Sequence, residues 1–242
     1  MEAFFGRWLS VEIPSMDYEE VRSLQLALVE ARRTNKLAAD VLLLLEHPSV
    51  FTIGRRGGLE HLLVEESFLR ERGIPLIGVE RGGDITYHGP GQLVGYPIIK
   101  LRGGVRKVGD LLLGVEEIMI RTLADWSITA QRNILNRGVW VGSEKIGSVG
   151  LALRGGVSFH GFSLNVNVAL EPFGWIQPCG LKGIGVTSME RILGSAIPIH
   201  DLRQALLGHA EQVFGVGLQP ATLAELNCGL TGDFPGIDRT EA

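Results

Sequence analysis

Hydrophobic positions along the chain fall into two periods. Across residues 15–36, SMDYEEVRSLQLALVEARRTNK, the apolar positions Val21, Leu24, Leu28 and Ala31 recur at helical spacing, with Asp17 and Glu20 at the start. DVLLLLEHP then reads as a buried strand stopped by Pro48, and SVFTIG as a second strand. VEESFLRERG predicts a short helix closed by Gly73, IPLIGVE a strand, and GQLVGYPIIKL another. VGDLLLGVEEIMIRTLADW predicts the second long helix, with Asp110 near its start. GVWVG, KIGSVGLAL and VSFHGFSLNVNV, parted by SE and RGG, predict an antiparallel meander. A Pro- and Gly-rich loop over residues 171–185 precedes HDLRQALLGHAEQVFG, a closing helix. The pattern predicts an α+β fold of one domain over residues 1–218, its mixed or antiparallel sheet flanked by helices. Residues 219–242 are expected to be a weakly patterned, frayed tail.

One segment breaks the pattern. ERGGDITYHGPGQLVGYPI, residues 80–98, sets Arg, Asp, Thr, Tyr, His and Gln among five glycines and two prolines. An ordinary turn needs one or two such breakers. This density predicts backbone brought close to something other than protein.

Composition narrows the function. The formal net charge is −4 over 242 residues, which argues against nucleic acid as the main partner. Two cysteines, Cys179 and Cys228, make no disulfide framework, and no zinc-like spacing occurs, so no metal is expected. The first residues carry no basic region before an apolar one, and the apolar run at residues 41–45 is too short to span a bilayer. The expected compartment is the cytoplasm, with no membrane partner. GIGVTS fails G-x-G-x-x-G at Ser188, no phosphate-binding P-loop occurs, and GFSLN around Ser163 fails G-x-S-x-G at Asn165.

Cys179 stands in IQPCGLKGIGVTS, between proline and glycine in a loop, where chemistry is more common than core packing. Cys228 has no such setting and reads as structural. A thiol with a pKa near 8.5 is only about 3% thiolate at pH 7, so a neighbouring ammonium would activate it. Lys182, three residues on, and Lys145, anchored at the start of KIGSVGLAL, are both candidates, and spacing does not choose between them.

Four blocks, EHPSVFTIGRRG, RGGDITYHGPGQLVGYPI, EKIGSVGLALRGGVSFHGFSLNVN and FGWIQPCGLKGIGVTSM, in this order, resemble the lipoyl(octanoyl) transferases. The resemblance implies the fold of biotin and lipoate protein ligase catalytic domains. It also implies transfer of an octanoyl group from octanoyl-acyl carrier protein to a lysine in the lipoyl domains of 2-oxoacid dehydrogenases and in the glycine cleavage H protein. No cofactor and no ATP are implied, because a thioester is already activated. By position, Cys179 matches the family's nucleophile, and Lys145 matches the lysine that lowers its pKa. Three segments match those that line the acyl substrate: Arg81, Gly82, Gly83, Asp84, Ile85, Thr86, Tyr87 and His88; Ser148, Val149 and Gly150; Gly161, Phe162 and Ser163. Asp84 departs from the pattern by occupying a variable position. The glycines of the first segment are expected to aim N–H groups at an oxyanion, and Tyr87, Leu151 and Phe162 to form an apolar wall. Arg81 is expected to fix its own loop. His88 and His160 read equally well as structural or functional. Arg55 and Arg56 are expected in a basic patch facing the carrier.

Overall fold

The computed structural model describes residues 7–101, 105–133, 136–177 and 185–231. Cys179, Lys182 and the last eleven residues of the expected tail lie outside them.

In chain order the elements are β1 (Arg7–Glu12), α1 (Tyr18–Arg33), β2 (Asp40–Leu45), β3 (Val50–Ile53), α2 (Glu66–Glu71), β4 (Leu76–Gly78), β5 (Ile85–His88) and β6 (Gln92–Ile98). There follow α3 (Val105–Asp125), β7 (Gln131–Arg132), β8 (Val139–Val141), β9 (Glu144–Arg154), β10 (Val157–Asn165), β11 (Gly185–Val186), α4 (Met189–Leu193), α5 (Ile199–Phe214), β12 (Gly217–Pro220) and α6 (Leu223–Thr231). The large sheet runs β12-β1-β2-β6-β10-β9-β8-β7, with β11 added beside β9, and a small sheet runs β4-β3-β5. Parallel pairs at β12-β1-β2 and β11-β9 join antiparallel ones, so the large sheet is mixed.

The run of leucines in β2 follows from helices on both faces of that sheet. Leu42 and Leu44 join the cluster under α3 and α5, while Val41, Leu43 and Leu45 join the cluster under α1. A strand buried on both sides loses polar alternation, and each buried leucine contributes about 2 kcal/mol. Helix α1 starts where Asp17 accepts from the N–H groups of Glu19 and Glu20. It lays Val21, Leu28 and Val29 on the sheet.

Three elements differ from the sequence reading. Helix α3 begins at Val105, so Asp110 lies in its second turn. The glycine-rich segment contains strand β5, which pairs with β3. Beyond residue 218, β12 continues alongside β1, and α6 buries Leu226 completely against the cluster under α1. Edge pairing and one apolar anchor hold this part of the chain, a pattern too short to show as periodicity. Among the described residues, no helix is long and apolar enough to cross a membrane.

Candidate active site

A cavity of about 580 Å³ opens between the glycine-rich segment and strands β6, β9 and β10. All three expected segments reach it. Arg81 to Thr86 and His88 line one wall, and Ser148, Val149, Gly150, Gly161, Phe162 and Ser163 the other. Tyr87 does not. Alternation in β5 turns Thr86 and His88 inward and sends Tyr87 into a separate cluster with Phe51, where its hydroxyl meets Ser49 Oγ at 2.9 Å. Leu151 also lies off the wall, packed against the core under α3 and α5.

The glycines of the segment serve contacts within the protein. Gly82 donates its N–H to Leu151 O at 3.0 Å, and a side chain at Gly150 would meet Gly82 O at 2.9 Å. Gly83 and Gly91 take positive φ, and a Cβ at Gly91 would stand 2.6 Å from Asn167. Of the amides expected to face an oxyanion, that of Gly82 is therefore engaged by β9. Arg81 ties its loop to Thr52 of β3: Nη2 donates to Thr52 O at 2.7 Å and to Thr52 Oγ1 at 2.8 Å.

A β-bulge brings Lys145 to the same wall. Val139 pairs with Gly147 and Trp140 with Lys145, which leaves Ile146 as an extra residue in β9. Without it, strict alternation would put residues 145 and 148 on opposite faces. With it, Ile146 enters the core under α3, and Lys145 and Ser148 both line the cavity. Lys145 Nζ donates to Asn136 Oδ1 at 2.8 Å and lies 5.6 Å from the Trp140 ring centroid, within cation–π range. Gly138 permits this approach, because a Cβ there would meet Lys145 Cε at 2.7 Å. Its N–H is held by the fully buried Glu116 of α3 at 3.0 Å.

The inner end of the cavity is polar, with Tyr18, His88, Tyr96 and His160 on it. Burial pushes the imidazoles of His88 and His160 down to about 3 and about 4, so both are neutral at pH 7. His47 behind them is likewise lowered to about 4 by burial, and its Nε2 meets Tyr96 Oη at 2.7 Å. His88 Nδ1 donates to Gln92 Oε1 at 2.7 Å, Gln92 Nε2 to Asn165 Oδ1 at 2.9 Å, and Asn165 Nδ2 to Thr187 O at 3.0 Å. Thr187 N in turn bonds Lys145 O at 3.0 Å, so a hydrogen-bonded chain joins the inner end to the strand of Lys145.

Near the mouth, His61 Nδ1 lies 2.6 Å from Asp84 Oδ2. Nothing in the sequence reading pointed to His61, which sits in an apolar-looking LEHLL, nor to Asn136 in a loop. Both reach the wall through chain folding alone. Arg56 lines the cavity and is exposed, whereas Arg55 does not line it. Among the described residues, no cluster of His, Cys, Asp and Glu could hold a metal.

Solved structures that share this architecture include lipoate ligases. A lipoate-protein ligase A with bound ATP matches with a TM-score of 0.72 at 18% identity, covering 93% of this chain and 92% of that one. A bipartite lipoate protein ligase from Thermoplasma acidophilum matches with a TM-score of 0.73 at 17% identity, covering 93% and 91%. Residues 17–211 match the lipoyl protein ligase A/B catalytic domain, and the chain belongs to that family. Among its relatives, the octanoyltransferase of Desulfotalea psychrophila is 45% identical over 207 residues, 85% of this chain and 93% of that protein. The octanoyltransferase of Syntrophobacter fumaroxidans is 44% identical over 211 residues, covering 87% and 92%.

Proposed function

We propose that this chain is an octanoyltransferase of protein lipoylation, which moves an octanoyl group from acyl carrier protein to a lysine of lipoyl domains through a thioester on Cys179. The observation that carries the reading is a pair of anchors. Gln177 N bonds His61 O at 2.8 Å on one bank of the cavity, and Val186 pairs with Lys145 on the other. Cys179 follows Gln177 by two residues in sequence. Two residues of extended chain span at most about 7 Å, so the tether to the cavity bank is short.

In this reading Lys145 is the ammonium that favours the Cys179 thiolate, and the three lining segments hold the acyl chain. The thiolate attacks the donor carbonyl, the donor thiol leaves, and the acceptor amine then attacks the enzyme thioester. The carrier-bound donor approaches the mouth, where Arg56 is exposed. The cytoplasm suits such a site, since a reducing compartment keeps the thiol free.

Mixing the protein with octanoyl-acyl carrier protein in the absence of ATP tests the reading. Intact mass should show one octanoyl adduct, removed by hydroxylamine and absent in Cys179→Ser. Absence of the adduct, or its persistence in Cys179→Ser, rejects the reading; activity that requires ATP would make the chain a ligase.

A further inference from the structure

We propose that Glu116 is the positioning residue of Lys145, setting where its ammonium stands and how firmly it keeps its proton, a role that rests on the acyl-transfer reading above. The carboxylate is fully buried on α3, on a stretch whose Val115, Ile118 and Met119 lie in the apolar core. Burying a carboxylate is costly, and an apolar side chain of similar size would pack there without that cost. What the carboxylate holds is the segment 136–138, against which Lys145 lies.

Its Oε1 accepts the Gly138 N–H at 3.0 Å, and its Oε2 stands 3.4 Å from Arg132 Nε and 3.6 Å from Arg137 Nη1. At the other end of the segment, Asn136 O accepts from the Trp140 indole N–H at 3.1 Å, and Asn136 Oδ1 from Lys145 Nζ at 2.8 Å. Gly138 between them has φ +127°, and a Cβ there would meet Gly147 O at 2.4 Å, Lys145 Cε at 2.7 Å and Nζ at 3.3 Å. Carboxylate and ammonium are therefore within about 9 Å of each other, joined through one glycine. The carboxylate fixes the glycine, and the glycine fixes the path of the lysine.

Charge gives the second half of the argument. Among the described residues, the charged groups around Glu116 and Lys145 come from every neighbouring element. Arg132 of β7 pairs with Glu116 and with Glu117, which also holds Arg121 of α3. Arg137 pairs with Glu116 and lines the cavity with Lys145, and Glu144, next to Lys145 in β9, pairs with Arg191 of α4. Two guanidiniums beside an ammonium favour loss of its proton, and a carboxylate set between them opposes that loss.

Trace labelling with acetic anhydride across pH, read by mass spectrometry on the Lys145 peptide, tests the assignment without reference to any other residue. Glu116→Gln keeps an oxygen for Gly138 N–H and removes the charge. Its labelling midpoint should fall by about one pH unit, the effect of a unit charge at this range. Arg137→Gln should raise the midpoint, and the double variant should return it toward wild type. The high-pH limb of octanoyl transfer should follow the midpoint in each. An unmoved midpoint in Glu116→Gln would overturn the proposal. So would a fall in both single variants, which marks a loosened structure, or a limb that stays while the midpoint moves. Thermal unfolding confirms that each variant is folded. Should Glu116→Gln not fold, Arg137→Gln, whose side chain is 54% exposed, decides alone, and a midpoint that stays or falls rejects the role. A wild type that forms no octanoyl adduct rejects the acyl-transfer reading itself, whereas the labelling midpoint belongs to Lys145, which keeps the two outcomes apart.

Discussion

Lys145 and Asn136 meet 2.8 Å apart across the bulged edge of β9, with the side-chain amide oxygen accepting from the ammonium. A neutral acceptor holds the amine in place without cancelling its charge. Asn136→Asp would set a carboxylate there, and the ammonium's field would be spent on it. The expected outcome is a higher Cys179 pKa and an alkylation rate at pH 7 lowered about tenfold or more. Iodoacetamide labelling across pH measures both. An unchanged profile would mean that Lys145 is not what stabilises the thiolate.

Gly95 of β6 lies under the Phe162 ring of β10, and a Cβ at that position would stand 2.2 Å from Cζ. The ring packs in the core under α3 and α5 and borders the cavity, so it can relieve the clash only by giving up core contact and moving into the cavity. Gly95→Ala should therefore destabilise the protein by about 1–3 kcal/mol, the usual range for overpacking. Chemical denaturation reads the loss directly. Phe162→Leu in the same background should recover part of it by relieving the clash.

The sequence made the layers legible because helical and two-residue periods survive wherever one face is buried. It made the four lining blocks legible through their resemblance to a family. The bulge at Ile146 was not legible, since an extra residue leaves no mark on a β-rich string, yet it decides which way Lys145 points. The glycine-rich segment, which does line the cavity, was legible only in part for a related reason. Its glycines mark close backbone approach, and part of that approach is to β9 and Asn167, which sequence distance hides. His61 and Asp84 stand 23 positions apart in the chain and form a pair only because the small sheet folds one over the other.

Three buried imidazoles set the response to acid. His47 and His160 fall from 6.5 to about 4, and His88 to about 3, mainly through burial. The folded state thus keeps them neutral, whereas the unfolded chain binds their protons from about pH 6.5 downward. More protons on the unfolded state means that stability rises with pH, so this contribution is complete above about pH 7. It is lost as pH falls from about 6.5 toward 4. Each imidazole moved to about 4 is worth about 3 kcal/mol across that window. Denaturation midpoints should drop between pH 6.5 and 4.5, and His47→Asn should show a shallower drop than wild type. A flat stability profile over that range would show that the imidazoles are not held neutral.

Chain length should be selected along the same cavity. Ile85, Val94, Val149, Phe162 and Ile176 offer the acyl tail apolar contact. Beyond them stand Tyr18, Tyr96, His88 and His160, on the order of 15 Å along the strands from Lys145. Each methylene buried on the apolar part gains about 0.8 kcal/mol, so a hexanoyl donor should lose about 15-fold in kcat/KM against octanoyl. A longer tail meets a polar end in which Tyr18 bonds His160, Tyr96 bonds His47 and His88 bonds Gln92, and covering these groups with methylene groups costs what burial gains. Dodecanoyl should therefore react no better than octanoyl. Replacing Tyr96 with Phe removes one of those polar groups and should raise the dodecanoyl rate relative to octanoyl, measured by competition between the two donors. Equal preference in wild type and Tyr96→Phe would show that the polar end does not set the limit.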